Sequence, residues 1–230
     1  MTETGTVLYH VTDIHNLSGI FVSAIHCWDA ARKRRGWTPF PDAVVHRRKE
    51  PIPLTSNDVT EYVPLSFCAN SPFLYDLTDD AGSWGQHQHR PTYHAPIDND
   101  DVAILCLDGA KVLELPGVIY SDSNDRSCSV HFYEAWELPM HVDWTAVTAA
   151  TCWDDNVKAH KAAEILVPRY VPSALITSVI LYSHLALEYA QDELCSLADN
   201  NTDDDRRFAR FMNMLCVSPD QFFPQYAGAH

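Results

Sequence analysis

The stretch that decides the fold is "HKAAEILVPRYVP", residues 160–172. Its centre, "EILV", is short, apolar and rich in β-branched residues, and Pro168 and Pro172 close it, which is typical of a buried strand. One carboxylate, Glu164, stands at the start of this run. A charge in a buried strand costs free energy unless it has a partner or a task. Glu164 is therefore either a solvated strand end or a functional acid.

Apolar patterns on both sides of this strand predict further elements of both kinds. Amphipathic spacing predicts a helix near residues 17–24, and "SPFLYDL" (71–77) predicts a turn and a short helix. A third helix is predicted from residue 143, ending before the polar run "DNVKAHK" (155–161), with two more at 185–198 and 200–215. Other strands are predicted at residues 7–12, 61–67, 101–109, 117–122 and 173–183, with long loops at 28–57 and 79–99. This order, without repeats or linkers, predicts one α+β domain over residues 1–230.

Composition places the chain among ordinary globular proteins. It has 230 residues, 46% of them hydrophobic, and no apolar run of about 18 residues that would predict a membrane span. The start "MTETGTVLYHVTD" lacks a basic segment followed by an apolar one, so we expect a cytoplasmic protein. The 7 cysteines include no C-x-x-C pair, which favours reduced thiols over a disulfide framework.

Histidines give a weak metal signal. The chain has 12 of them, and "HQH" (87–89) lies close to His94. Because no carboxylate or thiolate stands at ligand spacing, these histidines are more typical of a polar loop than of a metal site. We expect no metal.

The charge is strongly acidic but uneven. A formal net charge of −15 argues against a protein that coats nucleic acid by bulk electrostatics, since that requires clustered Lys and Arg. Of the 16 basic residues, however, 7 lie between Arg32 and Lys49. This run is either a solvated surface or a phosphate-binding patch.

Several common catalytic motifs are missing. The sequence has no Gly-rich phosphate loop, no G-x-S-x-G and no H-E-x-x-H. The usual NTPase, dehydrogenase, hydrolase and zinc-protease classes are thereby excluded. A nucleotide could still be bound by arginines, backbone amides and stacking on aromatic rings.

Four stretches, in order, resemble one family. They are "LYHVTDIHNLSGI" (8–20), "EYVPLSFCANSPFLY" (61–75), "GVIYSDSN" (117–124) and "WDDNVKAHKAAEILV" (153–167). Together they resemble the DarT-type ADP-ribosyltransferases, bacterial toxins that use NAD to modify bases in single-stranded DNA and that are paired with a macrodomain antitoxin. The resemblance implies a single-domain ADP-ribosyltransferase fold, in which two packed β-sheets with flanking helices hold NAD in a cleft.

The resemblance also implies a task for Glu164, which matches the family's catalytic glutamate. Cleaving the nicotinamide–ribose bond develops positive charge on the ribose, and a fixed carboxylate stabilises that charge. The same carboxylate can hold a ribose hydroxyl and accept the proton of the attacking base.

Other family positions transfer one by one. The "YHVT" stretch implies that His10 and Thr12 contact the nicotinamide end of NAD, with Asn16 and Leu17 following as cofactor-binding residues. His10 alone would also suit an ordinary strand histidine. Tyr75 matches a position where a ring stacks on NAD. Alternatively it is a core residue, because an aromatic after "SP" is equally typical of a hydrophobic core.

The basic residues fall in the run "HRRK". Arg48 matches the family's functional arginine, which implies a catalytic and a cofactor-binding role, and a guanidinium suits the pyrophosphate because it makes two parallel hydrogen bonds. Arg47, one place earlier, and Lys49 are implied substrate-binding residues. With Trp37 and Phe40 available for stacking, this region would bind both NAD and the nucleic acid strand.

Asn124 is the implied contact to the target base. The chain departs from the usual pattern with Asn70 where arginine often precedes "SP", and with Asp125 and Arg126 after Asn124. Two alternatives stay open: transfer of ADP-ribose to RNA or protein, and a catalytically silent NAD-binding module.

Overall fold

The computed structural model describes residues 6–38, 40, 52–55, 57–78, 97–123, 130–149, 155–198 and 204–222. In this part of the chain the strands are β1 (Val7–Asp13), β2 (Ala24–His26), β3 (Tyr62–Ser66), β4 (Val102–Asp108), β5 (Ile119–Ser121), β6 (Phe132–Glu134), β7 (Glu164–Pro168), β8 (Tyr170–Pro172), β9 (Ile176–Leu181) and β10 (Leu215–Val217). The helices are α1 (Leu17–Val22), α2 (Trp28–Ala31), α3 (Pro72–Thr78), α4 (Gly109–Leu113), α5 (Leu138–His141), α6 (Trp144–Thr148), α7 (Asp155–Lys161), α8 (His184–Ala198) and α9 (Asp204–Met212).

A large sheet and a small sheet organise these elements. The large sheet has eight strands in the order β10-β9-β4-β1-β3-β7-β5-β6, and β2 pairs with β8 in a second sheet of two strands. The pairings are antiparallel except β9 with β10, which is parallel. The predicted α+β arrangement with two sheets is confirmed.

Alternation along the strands builds a core on each face of the large sheet. In β4, Leu105 and Leu107 point into the larger core, whereas Ile104 and Cys106 point into a second core. Helix α8 covers the larger core with Ala186, Ala190 and Leu194, which are spaced four residues apart. The strand at the centre of the opening stretch, β7, is buried along Glu164, Ile165, Leu166 and Val167.

The polar run "DNVKAHK" differs from its prediction. It forms helix α7, and its Lys161, 1% exposed, donates hydrogen bonds from Nζ to the carbonyls of Val147 (2.9 Å) and Ala149 (2.7 Å). The ammonium group there donates to carbonyls at the end of α6, where the negative end of the helix dipole lies. From sequence alone a lysine such as Lys161 is expected to be exposed, so a buried helix was not predicted here.

Four strands of three residues each, β2, β6, β8 and β10, were not predicted. Three residues are too few to show alternation, and each of these strands forms because a partner strand is available. Among the described residues, no helix is both long and apolar enough to cross a bilayer.

Candidate active site

A cleft opens where the large sheet splits. All of β1 pairs with β4, but in the described chain β1 and β3 share a single residue pair, Tyr9 with Ser66. Beyond that pair the strands diverge into a cleft with an empty volume of about 770 Å³, solvent at its mouth included. The cleft therefore lies between two four-stranded halves of the sheet.

Pro64 and His10 explain the split. The His10 Nδ1–H donates to the Pro64 carbonyl at 3.0 Å, so this carbonyl faces β1. The nitrogen and oxygen of one residue point to the same side of a strand. Pro64 therefore turns a nitrogen without hydrogen toward β1, and the ladder cannot continue there.

The same hydrogen bond orients the His10 ring. With Nδ1 as donor, a neutral His10 has its Nε2 as the acceptor atom. His10 and Thr12 both line the cleft, as the resemblance implied. Thr12 is 1% exposed, so its hydroxyl lies deep in the site.

Glu164 lies on the cleft wall opposite β1. It is the first residue of β7, is 5% exposed and lines the cleft together with Ser66. Its partners in the neighbouring strands are the small residues Ser66 and Ser121. Because apolar residues 165–167 fix the strand from both faces, the carboxylate is held at a defined place.

Asn16 fixes one rim of the cleft. Its Nδ2 donates to the Thr38 carbonyl at 2.9 Å and to the Thr12 hydroxyl at 3.3 Å. The Thr38 N–H in turn donates to Asn16 Oδ1 at 2.8 Å. Asn16 is 3% exposed and does not line the cleft. It joins the strand that carries Thr12 to the segment that carries Trp37.

Aromatic rings form an apolar wall on this rim. Trp28, Trp37, Phe40 and Phe73 line the cleft, and Phe40 packs edge-on against Phe73 with 5.8 Å between ring centroids. The Trp37 Nε1–H is buried and finds no acceptor among the described residues. An unpaired buried donor costs free energy, so a ligand that accepted this hydrogen bond would be bound more tightly.

A histidine of the cleft wall is hydrogen-bonded to an arginine. His26 lines the cleft, and its Nε2 accepts hydrogen bonds from Arg34 Nη1 at 2.7 Å and from the Ser23 hydroxyl at 2.8 Å. Burial, followed by the Arg34 charge, lowers the pKa of His26. This neutral imidazole therefore holds an exposed guanidinium next to the cleft.

The remaining predicted site residues lie elsewhere. Leu17 is fully buried in the larger core, and Tyr75 is buried in α3 with Lys158 Nζ 5.5 Å from its ring centroid. Neither lines the cleft. The predictions for Arg47, Arg48, Lys49 and Asn124 fall outside the described residues.

Some cleft residues were missed by sequence reasoning. Tyr9, Tyr62 and Ser66 lie in predicted strands. Trp28 is the first residue of a predicted loop, and His26 lies just before it. Strand alternation would have proposed Tyr62 and Ser66, which share a face with Glu164, but the split between β1 and β3 has no sequence signal apart from Pro64. The described residues contain no group of three possible metal ligands, and the "HQH" stretch lies outside them.

Comparison with known proteins gives one consistent result. A family described as "ssDNA thymidine ADP-ribosyltransferase, DarT" matches residues 9–209. A DNA ADP-ribosyl transferase from Thermus sp. (strain 2.9) is 26% identical over 184 residues, which cover 77% of this chain and 82% of that protein.

Solved structures agree on the fold. Thermus sp. 2.9 DarT in complex with ADP-ribosylated ssDNA has a TM-score of 0.69 at 22% identity, covering 95% of this chain and 96% of that one. The same DarT in complex with NAD+ has a TM-score of 0.67 at 22% identity, covering 96% and 98%. These likenesses show that the fold is shared.

Proposed function

The chain belongs to the DarT family of NAD-dependent DNA ADP-ribosyltransferases, and we propose from this premise that it transfers ADP-ribose from NAD to thymidine in single-stranded DNA. The observation that carries the proposal is the cleft, where Glu164 and His10 line opposite walls. Family membership favours DNA over the RNA and protein targets that the sequence left open, and an enzyme over a silent NAD-binding module.

Glu164 is the proposed catalytic residue. In the reaction the bond between nicotinamide and ribose C1′ breaks, and its electrons leave with nicotinamide. A bond then forms from thymidine N3 to C1′, and N3 loses its proton. A buried carboxylate stabilises the positive ribose and accepts that proton, because both tasks need a fixed negative charge out of bulk water.

His10, Thr12 and Trp37 are the proposed contacts to the nicotinamide mononucleotide half of NAD. His10 and Thr12 line the cleft with polar side chains, and Trp37 adds a donor without a partner in the described chain. Nicotinamide has an amide that donates and accepts, so these groups complement it. Asn16 acts through Thr38 as a positioning residue.

The phosphates require cations. Arg34, held by His26 at the cleft rim, is a pyrophosphate ligand in this proposal, together with Arg48 as the sequence predicts. Arg47 and Lys49 keep their predicted role in contacting the strand, and Asn124 keeps its predicted contact with the target base.

A single-stranded target follows from the chemistry of thymidine. In a duplex, N3–H is the central donor of the A·T pair, so it cannot attack until the base is extruded, which costs a few kcal/mol. Single-stranded DNA presents this atom directly.

A toxin role, restrained by a macrodomain antitoxin, is the biological part of the proposal. Expression of the native chain should arrest bacterial growth, and expression of Glu164→Ala should not. Co-expression of a macrodomain that removes ADP-ribose should restore growth. Arrest by Glu164→Ala would separate toxicity from the proposed reaction.

The reaction itself is tested with labelled NAD and separate pools of single-stranded DNA, duplex DNA, RNA and protein. We expect label on single-stranded DNA only, and none with Glu164→Ala. Label on RNA or protein alone would show that the substrate is not DNA, and NAD left intact in all pools would refute the enzymatic proposal.

A further inference from the structure

One row of side chains crosses the large sheet at the proposed catalytic acid. Glu164 of β7 is paired with Ser66 of β3 on one side and with Ser121 of β5 on the other. Beyond these serines the row continues to Tyr9 of β1 and to Phe132 of β6. The side chains of directly opposed residues lie on the same face of a sheet. All five side chains therefore lie on the face that carries the Glu164 carboxylate.

This row is lowest beside Glu164. Serine is much smaller than the tyrosine and the phenylalanine at the two ends of the row, so Ser66 and Ser121 form a floor between two aromatic walls. Phe132 is half-buried and packs against the apolar cluster that contains Ile119 and Leu166, so its ring is supported. Two strand spacings separate the backbones of Phe132 and Glu164, or about 10 Å.

The two sides of Glu164 differ. On the Ser66 side, Tyr9 and Ser66 themselves line the cleft proposed to hold NAD. On the other side, neither Ser121 nor Phe132 lines that cleft. A direct displacement at ribose C1′ brings in the nucleophile on the side opposite to the leaving nicotinamide. With nicotinamide on the Ser66 side, the target base approaches Glu164 from the Ser121 side.

The order of chemical groups on this side matches one edge of thymine. That edge presents the N3–H, then the O4 carbonyl oxygen, then the C5-methyl group. The protein presents a carboxylate, then a hydroxyl, then an apolar ring, from Glu164, Ser121 and Phe132. A carboxylate accepts from N3–H, a serine hydroxyl can donate to O4, and a phenylalanine ring suits the thymine methyl. The two sequences of groups are complementary in the same order.

Other bases match the row less well. Uracil lacks the methyl group and leaves Phe132 without that contact. Guanine presents an N–H and a carbonyl oxygen, but N7 follows them, and Phe132 cannot satisfy this acceptor. Cytosine has no proton on N3 and carries an amino group in place of O4. Thymine is therefore the base that all three side chains favour.

We propose that Ser121 and Phe132 select the target base: the Ser121 hydroxyl donates to thymine O4 and the Phe132 ring contacts the 5-methyl group, while N3–H faces Glu164. This inference rests on the proposed function, because it assumes that a single strand reaches Glu164. It deepens that function by assigning the choice of thymine to two residues of the β5–β6 hairpin.

The test compares single-stranded oligonucleotides that carry one deoxythymidine, one deoxyuridine or one deoxyguanosine in the same surrounding sequence. With the native chain, kcat/KM should be about fourfold higher for deoxythymidine than for deoxyuridine, the usual effect of burying one methyl group, and lowest for deoxyguanosine. Phe132→Ala should abolish the preference for deoxythymidine over deoxyuridine. Phe132→Leu keeps an apolar side chain and should keep most of that preference.

Tyr133→Ala is the matched control for Phe132. Tyr133 is the next residue of β6 and is also half-buried, but it pairs with Tyr120 and so lies on the other face of the sheet. Its variant should keep the native preference for deoxythymidine. Native NAD binding by the Phe132 variants shows that their fold is intact.

Ser121→Ala tests the second contact. Loss of the hydroxyl should lower kcat/KM for deoxythymidine and deoxyuridine alike, by about fivefold, because both bases carry O4. NAD binding should stay native in this variant. Ser66→Ala removes the hydroxyl on the other side of Glu164 and should leave KM for the oligonucleotide unchanged.

Equal kcat/KM for deoxythymidine and deoxyuridine with the native chain would overturn the inference. So would a native preference in Phe132→Ala, or native kcat/KM in Ser121→Ala. If the native chain modifies no oligonucleotide, the proposed function fails, and the selection of thymine is then read from the affinities of the same oligonucleotides without NAD. Equal affinities for deoxythymidine and deoxyuridine in that case would overturn the inference as well.

Discussion

At the residue scale, Trp37 gives the sharpest test of the NAD cleft. Trp37→Phe keeps an aromatic ring but removes the N–H that lacks a protein acceptor in the described chain, together with part of the fused ring. If NAD accepts this hydrogen bond, the variant should bind NAD about fivefold more weakly, the usual contribution of one hydrogen bond. Isothermal titration measures the loss. Trp28→Phe in the same wall is the control, and an equal loss in both would show that ring shape matters rather than the N–H.

Two histidines should titrate on opposite sides of the ordinary value. Burial and the Arg34 charge lower the pKa of His26, whereas the hydrogen bond to Asp13 raises the pKa of His15. An NMR titration of the histidine ring signals should therefore show His15 protonating first as the pH falls. If His26 protonated before His15, the contacts described for both rings would be contradicted.

The His26 shift has a consequence for stability. Its folded-state pKa lies below the unfolded value of 6.5, so below about pH 6.5 the unfolded chain binds more protons and stability falls as the pH drops. Protonated His26 also repels Arg34 and cannot accept its hydrogen bond. The guanidinium proposed to bind pyrophosphate is then released, so NAD affinity should decrease around and below the lowered folded-state pKa of His26, at a lower pH than the first loss of stability.

At this scale the sequence predicted those residues whose chemistry is unusual for their position. Glu164 is an acid in an apolar strand, and its place on the cleft wall follows from where that strand starts. Trp37 was predicted only as a ring available for stacking, and the importance of its N–H and of His26 could not be predicted, because a lone aromatic or histidine in a polar stretch is equally typical of a loop. Their positions at the cleft depend on tertiary contacts, those of Asn16 with Thr38 and of His26 with Arg34, which the sequence does not reveal.

At the element scale, Asn16 joins β1 to the segment that carries Trp37 and Phe40. Asn16→Ala removes the hydrogen bonds to both the N–H and the carbonyl of Thr38 and should free that segment. We expect KM for NAD to rise about tenfold with kcat changed much less, because Glu164 is untouched. Steady-state kinetics checks this, and thermal unfolding should show a loss of about 1–3 kcal/mol.

Asn16→Asp is the informative companion. Its carboxylate can still accept from the Thr38 N–H but repels the Thr38 carbonyl, so it should be impaired like alanine. Native KM in both variants would mean that the aromatic wall holds its place without this clamp.

The strands of five or more residues were predicted, whereas of the three-residue strands only β5 was. Strands β1, β3, β4, β7 and β9 have five to seven residues, enough for apolar runs or alternation to appear. The three-residue strands depend on partners far along the chain, such as Ile25 of β2 opposite Val171 of β8. Helix α7 escaped prediction because Lys161 finds carbonyl partners that no local pattern reveals.

At the scale of the whole molecule, charge opposes the proposed partner. The net charge of −15 repels DNA, so binding depends on the few cations of the basic run. Raising the salt from 50 to 200 mM should weaken oligonucleotide binding about tenfold, as expected for two or three phosphate contacts. Anisotropy measurements across that range test this. An affinity that did not change with salt would show that the DNA strand does not bind at the basic run.

The overall architecture could be predicted only through the order of four sequence stretches that resemble one family. Pattern alone gave an α+β class, because the junction of β1 with β3 rests on Tyr9, Ser66 and Pro64, residues that any sheet could contain. The cleft that unites His10 with Glu164 is a property of that junction, and it emerges only when both halves of the sheet are assembled.

The most direct test of the central claim is tandem mass spectrometry of a single-stranded oligonucleotide with one thymidine, after incubation with NAD and either the native chain or Glu164→Gln. The variant keeps the shape of the side chain and removes its charge. We predict one ADP-ribose on the thymine base with the native chain and a yield at least about a hundredfold lower with Glu164→Gln. Equal modification by both proteins, or an adduct elsewhere than on thymine, would contradict the account.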